Sequence, residues 1–193
     1  MIYSSAEDSF LLEKAVRKYA KGKSFLDMGS GSGIQSRAAL SVGASLILAV
    51  DINPESIKLL KQQGLHAIQS NLFQKVKGKF DLIAFNPPYL PKDFREDKES
   101  ALATTGGKKG DEIIIKFLKQ SKKHLSEDGI ILLIVSSLTP KDKILPLLEK
   151  LSFTHKIIEK QKLFFESLEL WEIHNINKPS LNKILWKAKQ KGF

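Results

Sequence analysis

A short apolar strand, a glycine-rich turn and the start of a helix follow one another in residues 24–33, which read SFLDMGSGSG. Glycines at a strand–helix turn let the backbone pass close to a ligand. The dinucleotide-binding pattern needs a third glycine at position 34, where this chain has Ile34, and this disfavours the pyrophosphate of NAD. The segment therefore predicts a βα unit whose turn binds a different ligand.

Apolar runs alternate with helical patterns on both sides of this segment. Strands are predicted at 24–27, 46–51, 65–69, 80–85, 130–136, 153–158 and 168–173, and helices at 5–20, 33–42, 54–63, 110–125 and 140–150. This alternation is typical of a mostly parallel sheet with helices on both faces. No helix separates the last two strands, so we expect them to pair antiparallel.

Two further segments have a distinct character. The long polar loop 91–109 is of a length that usually marks a functional lid or disorder. Residues 179–192 have the pattern of a basic amphipathic helix, which we expect to pack on the domain rather than to bind a partner.

The composition sets limits on the class of protein. A chain of 193 residues with 42% hydrophobic content is most simply one domain, spanning 1–193. It has no cysteine and its four histidines lack ligand spacing, so no metal site is expected. No signal peptide or membrane span is evident, which predicts a soluble, cytoplasmic protein. The net charge of +10 comes almost entirely from lysine, which is a weak indication of an anionic partner.

Three polar positions follow predicted strands and indicate the kind of ligand. Asp27, beside the glycine turn, would repel a phosphate but suits an ammonium group. Asp51 ends the second strand, where a carboxylate can accept hydrogen bonds from both ribose hydroxyls. Asn71 and Leu72 follow the third strand and can bind an adenine edge through an amide side chain and a backbone N–H. A nucleoside that carries an amino-acid tail and no phosphate satisfies all three positions, and S-adenosylmethionine is such a ligand.

The tetrapeptide Asn86-Pro87-Pro88-Tyr89 directly follows the predicted strand 80–85. Two prolines fix φ and remove two backbone donors, so a stiff turn presents acceptor oxygens beside the Tyr89 ring. A planar NH2 group needs two acceptors, which Asn86 and the Pro87 carbonyl would supply. We therefore expect methyl transfer to a conjugated NH2 nitrogen by positioning and electrostatics, without a strong general base. A glutamine side chain and an adenine base both carry such a group.

Taken together, these motifs resemble the class I methyltransferases and, within them, the HemK-type glutamine methyltransferases of translation release factors. The match is narrower to the compact archaeal and eukaryotic branch, which lacks a separate N-terminal domain. The residues that carry it are Tyr3, Ala6 to Leu12, Asp27 to Gly33, Asp51, Asn71 to Phe73, Asn86 to Tyr89, Gly106-Gly107 and Gly110 to Glu112. The resemblance implies a seven-stranded sheet of order 3-2-1-4-5-7-6, with the seventh strand antiparallel.

The resemblance also implies roles for individual residues. Catalytic roles are expected for Asn86, Pro87 and Tyr89. Cofactor binding is expected from Ser9, Asp27, Gly29, Gly31, Asp51, Asn71, Leu72 and Asn86, and substrate binding from Asn86, Pro87, Pro88, Tyr89 and Glu7. Family members usually have an acid where this chain has Asn71. An amide can still accept a hydrogen bond from the adenine amino group, so we expect adenine binding there to survive in a weaker form.

The expected substrate is the Gly-Gly-Gln motif of a class I release factor. The alternatives are an adenine in RNA or DNA and, in a third class, a binding protein without catalysis. The compact branch also implies a small zinc-containing activator subunit, expected at the edge of the third strand near Leu65, Ile68 and Phe73.

Overall fold

The fold is given by a computed structural model that describes residues 7–91, 105–164 and 166–176. The helices are α1 (Glu7–Tyr19), α2 (Ile34–Ser41), α3 (Pro54–Gln62), α4 (Glu112–Ser121) and α5 (Ile144–Lys150). The strands are β1 (Ser24–Met28), β2 (Leu46–Asp51), β3 (Ala67–Gln69), β4 (Phe80–Phe85), β5 (Leu90–Pro91), β6 (Thr105–Gly107), β7 (Leu125–Ser136), β8 (Phe153–Lys162) and β9 (Ser167–Asn175).

Seven of these strands form one sheet in the order β3-β2-β1-β4-β7-β9-β8. The neighbours from β3 to β7 are parallel, and β9 runs antiparallel to both β7 and β8. The two short strands β5 and β6 form a separate sheet. Counted along the chain within the large sheet, the order is 3-2-1-4-5-7-6 with the last strand antiparallel, which confirms the predicted fold.

The two faces of the large sheet carry separate hydrophobic clusters. Successive strand residues point to opposite faces, so in β4 Ile83 and Phe85 join one cluster while Leu82 and Ala84 join the other. Helices α4 and α5 cover the first face, and α1 and α2 cover the second. The sheet is thus buried on both faces, and because the strands from β3 to β7 are parallel, their carboxyl ends lie at one edge of it.

Several predicted boundaries differ from the structure. The third strand begins at Ala67 rather than at 65, because Leu65 packs with Leu60 in the cluster beneath α3. The strand predicted at 130–136 begins at Leu125, which pairs with Phe80 before an irregularity in the register. The helix predicted at 140–150 begins at Ile144. The predicted helix 179–192, most of the loop 91–109, and Tyr3 and Ala6 lie outside the described residues.

The third strand lies at the edge of the sheet, as predicted, but its surroundings differ from expectation. Leu65 and Phe73 are buried, and only Ile68 of the three expected docking residues is partly exposed. Phe73 stacks on His124 at a ring distance of 4.9 Å and lies 5.5 Å from Phe117. The prediction that Leu65 and Phe73 lie on a docking surface was therefore wrong, because both fill the core next to the edge strand.

Candidate active site

A cavity of about 350 Å³ opens at the carboxyl ends of β1, β2 and β4. From β1 the chain first adds strands on one side of the sheet, β2 and β3, and then adds β4 and β7 on the other side. The crevice at such a switch point is the usual ligand site of an open α/β sheet. The cavity brings together the predicted residues Ser9, Asp27, Gly29, Gly31, Asp51, Asn71, Leu72, Asn86, Pro87, Pro88 and Tyr89. The side chain of the remaining predicted residue, Glu7, lies outside the described residues.

The glycine-rich turn after β1 forms one wall of the cavity. Gly29, Gly31 and Gly33 all have positive φ, at 64°, 50° and 85°, which is a conformation that side chains disfavour. The Gly31 N–H donates to Oδ2 of Asp51 at 2.7 Å, and the Ser30 hydroxyl donates to the Val50 carbonyl at 2.9 Å. These two bonds hold the turn against the end of β2. Because its glycines have no side chains, a ligand can lie along the backbone of the turn.

Asp27 is a buried carboxyl group at the end of β1. Its Oδ2 accepts hydrogen bonds from the backbone N–H of Ser36 at 3.0 Å and from the Ser36 hydroxyl at 2.6 Å. Burial raises the pKa of Asp27 to about 7, and the charge of Asp51 adds to this rise, while Ser36 and Arg37 oppose it. A cation bound at Asp27 would favour its ionised form.

Asp51 holds two loops together at the end of β2. Its Oδ2 accepts from Gly31, and its Oδ1 accepts from the backbone N–H of Asn53 at 2.8 Å. Burial raises the pKa of Asp51, while these N–H donors act in the opposite direction. Each carboxylate oxygen has a further lone pair, so Asp51 can also accept from two neighbouring hydroxyl groups.

The segment after β3 forms the far end of the cavity. Asn71 is exposed, and Leu72 has a left-handed backbone with φ of 49°. Non-glycine residues adopt this conformation at a cost, and such strain is concentrated at functional sites. The turn is braced by Ser70, whose hydroxyl accepts the backbone N–H of Lys75 at 3.0 Å. Leu72 is therefore held so that its backbone faces a defined direction at the cavity wall.

Asn86, directly after β4, has a side chain with a defined orientation. Its Nδ2 donates to Oδ2 of Asp8 at 3.0 Å. An ionised carboxylate only accepts, so this bond identifies the nitrogen end of the amide. The Oδ1 atom of Asn86 is buried and has no hydrogen-bond partner among the described residues. The cavity wall thus carries an oriented amide oxygen that still needs a donor.

The Asn86–Tyr89 segment is supported from behind by the glycine pair of β6. A Cβ on Gly106 would lie 2.7 Å from the Pro88 carbonyl oxygen and 2.5 Å from that of Gly110. Only glycine allows this approach, so the Gly106-Gly107 pair in the sequence has a packing role next to the cavity.

Sequence reasoning missed three residues that shape the site: Asp8, Gln35 and Ser36. Asp8 lies in the predicted N-terminal motif, but its bond to Asn86 spans 78 positions along the chain. Ser36 lies one helical turn beyond the glycine turn, and its bond to Asp27 depends on how α2 leaves that turn. No local pattern indicates either contact.

The structure adds two observations about ions and membranes. No group of three or more His, Cys, Asp or Glu side chains that could hold a metal ion occurs within residues 7–91, 105–164 and 166–176. The helices of that same part of the chain include none with the length and apolar character needed to cross a membrane.

The strand order, together with a cavity at the β1/β4 switch point, defines a class I methyltransferase. The solved structure of the E. cuniculi Mtq2–Trm112 complex, described as methylating the termination factor eRF1, has the same fold. Its TM-score is 0.73 at 22% identity, and the match covers 90% of this chain and 98% of that chain.

The methyltransferase small domain family matches residues 7–165, and the chain belongs to this family. A relative from Methanocaldococcus jannaschii, named as a protein N5-glutamine methyltransferase, is 39% identical over 175 residues, which cover 86% of this chain and 88% of the relative. The release factor glutamine methyltransferase of Aquifex aeolicus is 34% identical over 145 residues, covering 66% of this chain and 52% of that protein.

Proposed function

We propose that this protein transfers a methyl group from S-adenosylmethionine to the side-chain amide nitrogen of a glutamine, in the Gly-Gly-Gln motif of a class I translation release factor. The observation that carries the proposal is the buried Oδ1 of Asn86, oriented by Asp8 and without a donor among the described residues. An amide NH2 group would supply that donor. The relatives named for glutamine methylation support the same acceptor.

The residues around the cavity fit S-adenosylmethionine. Two carboxyl groups and a turn of positive-φ glycines suit a cationic nucleoside without phosphates. In the proposal Ser9 and Asp27 hold the amino-acid end, the backbone of Gly29 and Gly31 lies alongside it, and Asp51 holds the ribose. Asn71 and Leu72 hold the adenine, with an amide in place of the usual acid. When bound, the cofactor supplies a methyl group activated on a cationic sulfur.

The residues of the chain then act by positioning. The Oδ1 atom of Asn86 and the Pro87 carbonyl accept the two hydrogens of the substrate NH2 group, which localises the nitrogen lone pair and aims it at the methyl group. Pro88 keeps the turn stiff and Tyr89 forms the wall beside the amide plane. Glu7 would help to order the entrance. The nitrogen would be cationic once it carries the methyl group, and it would become neutral when one of its two hydrogens passes to water as a proton.

We further propose that a small zinc-containing activator subunit pairs with the edge strand β3. Among the described residues β3 pairs with β2 only, so its other edge is open to strand addition. Ile68 lies on this strand, and Ile52, which is 45% exposed, adjoins it through a 3.1 Å bond from Gln69 to the Ile52 carbonyl. The proposed apolar contact therefore keeps Ile68, adds Ile52 and omits Leu65 and Phe73.

The activator proposal has a paired test. Ile68 is partly exposed and also packs against the core. The exchange Ile68→Glu should therefore lower the melting temperature only moderately and reduce complex formation with the activator by at least tenfold, measured by size-exclusion chromatography and calorimetry below that temperature. The exchange Phe73→Glu should instead lower the melting temperature strongly, because it buries a charge in the core. Undiminished complex formation by the Ile68→Glu protein would remove the proposal.

The function is tested by methyl transfer from labelled S-adenosylmethionine to a class I release factor, with and without the activator. A Gly-Gly-Ala form of the factor and bulk RNA and DNA run in parallel. We expect label on the factor only when the glutamine is present. Label on nucleic acid would instead assign an adenine acceptor and give the net charge of +10 a functional meaning.

Two variants of the enzyme complete this assay. The exchange Asn86→Ala should reduce transfer to the factor at least a hundredfold, since it removes the oriented acceptor. The exchange Asn175→Ala removes an amide of the same size that binds the Ser126 and Glu127 carbonyls away from the cavity, and it should leave transfer unchanged.

A further inference from the structure

Gln35, in the first turn of α2, lines the cavity and is only 5% exposed. Its Nε2 donates to the backbone carbonyl of Ser9 at 2.9 Å. A carbonyl oxygen cannot donate, so this bond identifies the nitrogen end of the Gln35 amide. The other end, Oε1, is buried without a hydrogen-bond partner among the described residues. A buried acceptor without a donor is unfavourable, which indicates that a ligand supplies one.

A second acceptor that has room for a donor lines the same cavity as Gln35. The next residue, Ser36, directs both of its donors to Oδ2 of Asp27, and no bond within the described part of the chain uses Oδ1 of Asp27. Asp27 and Gln35 line the same cavity and are tied to the same turn of α2. A ligand group that satisfies both acceptors must carry several donors and is favoured if it is cationic. An ammonium group has three donors and no acceptor.

We propose that Gln35 is a cofactor-binding residue whose Oε1 accepts a hydrogen from the α-ammonium group at the amino-acid end of the cofactor. This inference rests on the proposed function, because it takes S-adenosylmethionine as the ligand. The Asp27 carboxylate supplies the negative charge that pairs with the ammonium group, and Gln35 supplies a neutral acceptor from a second direction. The two together fix the direction of the C–N bond, and with it the position of the amino-acid tail.

The same side chain connects the cofactor end to the acceptor end of the site. Gln35 binds the Ser9 carbonyl, the Ser9 N–H donates to Oδ1 of Asp8 at 2.7 Å, and Oδ2 of Asp8 accepts from Asn86. A bound ammonium that holds Gln35 in place therefore also supports the start of α1, which orients the amide oxygen of Asn86.

The test is calorimetric binding of two ligands, S-adenosylhomocysteine and its analogue without the α-amino group. In the exchange Gln35→Leu the affinity for S-adenosylhomocysteine should fall about tenfold, in line with the loss of one hydrogen bond to a charged group. Affinity for the deaminated analogue should stay within about twofold. Gln62→Leu, the same exchange at an exposed position on α3, is the matched control and should change neither affinity.

Other outcomes separate the alternatives. Equal weakening of both ligands would show that Gln35 acts only through Ser9 and the start of α1, and would overturn the proposal, as would no weakening of either. The exchange Gln35→Met, of similar length, repeats the comparison if Gln35→Leu lowers the melting temperature. A wild-type protein that binds S-adenosylhomocysteine but methylates no release factor would refute only the proposed substrate. A wild-type protein that binds neither ligand would refute the cofactor itself.

Discussion

Cofactor binding should depend on pH through Asp27. Its pKa of about 7 in the ligand-free protein results first from burial and second from the charge of Asp51. In the proposed complex an ammonium group would bind the ionised carboxylate of Asp27, so protonation of Asp27 would compete with binding. The affinity for S-adenosylhomocysteine should therefore rise as the pH rises and level off above the pKa.

The size of the effect follows from the pKa. With a value of about 7, the carboxyl is roughly one-tenth ionised at pH 6 and roughly nine-tenths ionised at pH 8, so the affinity should rise about tenfold over this range. At pH 7 each binding event should release about half a proton from this group. A carboxyl with the ordinary value near 3.8 would give no slope in this window.

Isothermal titration calorimetry measures both quantities, with the affinity determined from pH 6 to 8 in two buffers of different ionisation enthalpy. The matched control is Asp27→Asn, which keeps an acceptor for Ser36 and cannot titrate. Any titration of the ligand's own amino group remains in both proteins, so the difference between them isolates Asp27. An equal slope in the Asp27→Asn protein, or no slope in the wild type, would refute the reasoning.

The remaining predictions concern orientation, backbone strain and stability. Asp8→Ala removes the anchor of Asn86 and should slow methyl transfer by about 10- to 100-fold in single-turnover assays, with S-adenosylhomocysteine affinity within about threefold of wild type. Gly33→Ala combines positive φ with a Cβ 2.5 Å from another side chain, so it should lower the free energy of unfolding by about 2–4 kcal/mol. Gly31→Ala has positive φ but open space around its Cβ, so it should lower the free energy of unfolding by only about 1 kcal/mol. Urea unfolding of the two proteins measures the difference. The raised pKa of Asp27 means that the folded state binds more protons than the unfolded state between about pH 4 and 7, so stability falls as pH rises through this window. Asp27→Asn should therefore raise the melting temperature of the ligand-free protein at pH 8, and an unchanged value would contradict a buried ionised carboxylate there.

Local patterns predicted the architecture well. The predicted bounds of β1, β2 and β4 match the structure to within a residue. Strands that are buried on both faces are continuous apolar segments, so they can be recognised without knowing which strands they pair with. The two residues at the ends of β1 and β2, Asp27 and Asp51, were placed at the ligand edge for the same reason: parallel strands end at the same side of the sheet.

Burial near the sheet edge was not predictable in the same way. Leu65 and Phe73 flank β3 and are apolar, as docking residues would be, and only their neighbours distinguish the two cases. Phe73 stacks on His124, which lies far along the chain, just after the end of α4. No period within the segment 65–73 contains that information.

The amino-acid sequence alone thus specified the order of helices and strands, the glycine turn, the acidic strand ends and the Asn86–Tyr89 turn, because each depends on residues that are neighbours along the chain. The orientation of the Asn86 amide by Asp8, the unpaired oxygen of Gln35 and the raised pKa of Asp27 depend on contacts between segments far apart in the chain. Such contacts exist only once the helices have packed on the sheet and excluded water, since desolvation and hydrogen-bond direction are properties of the packed site.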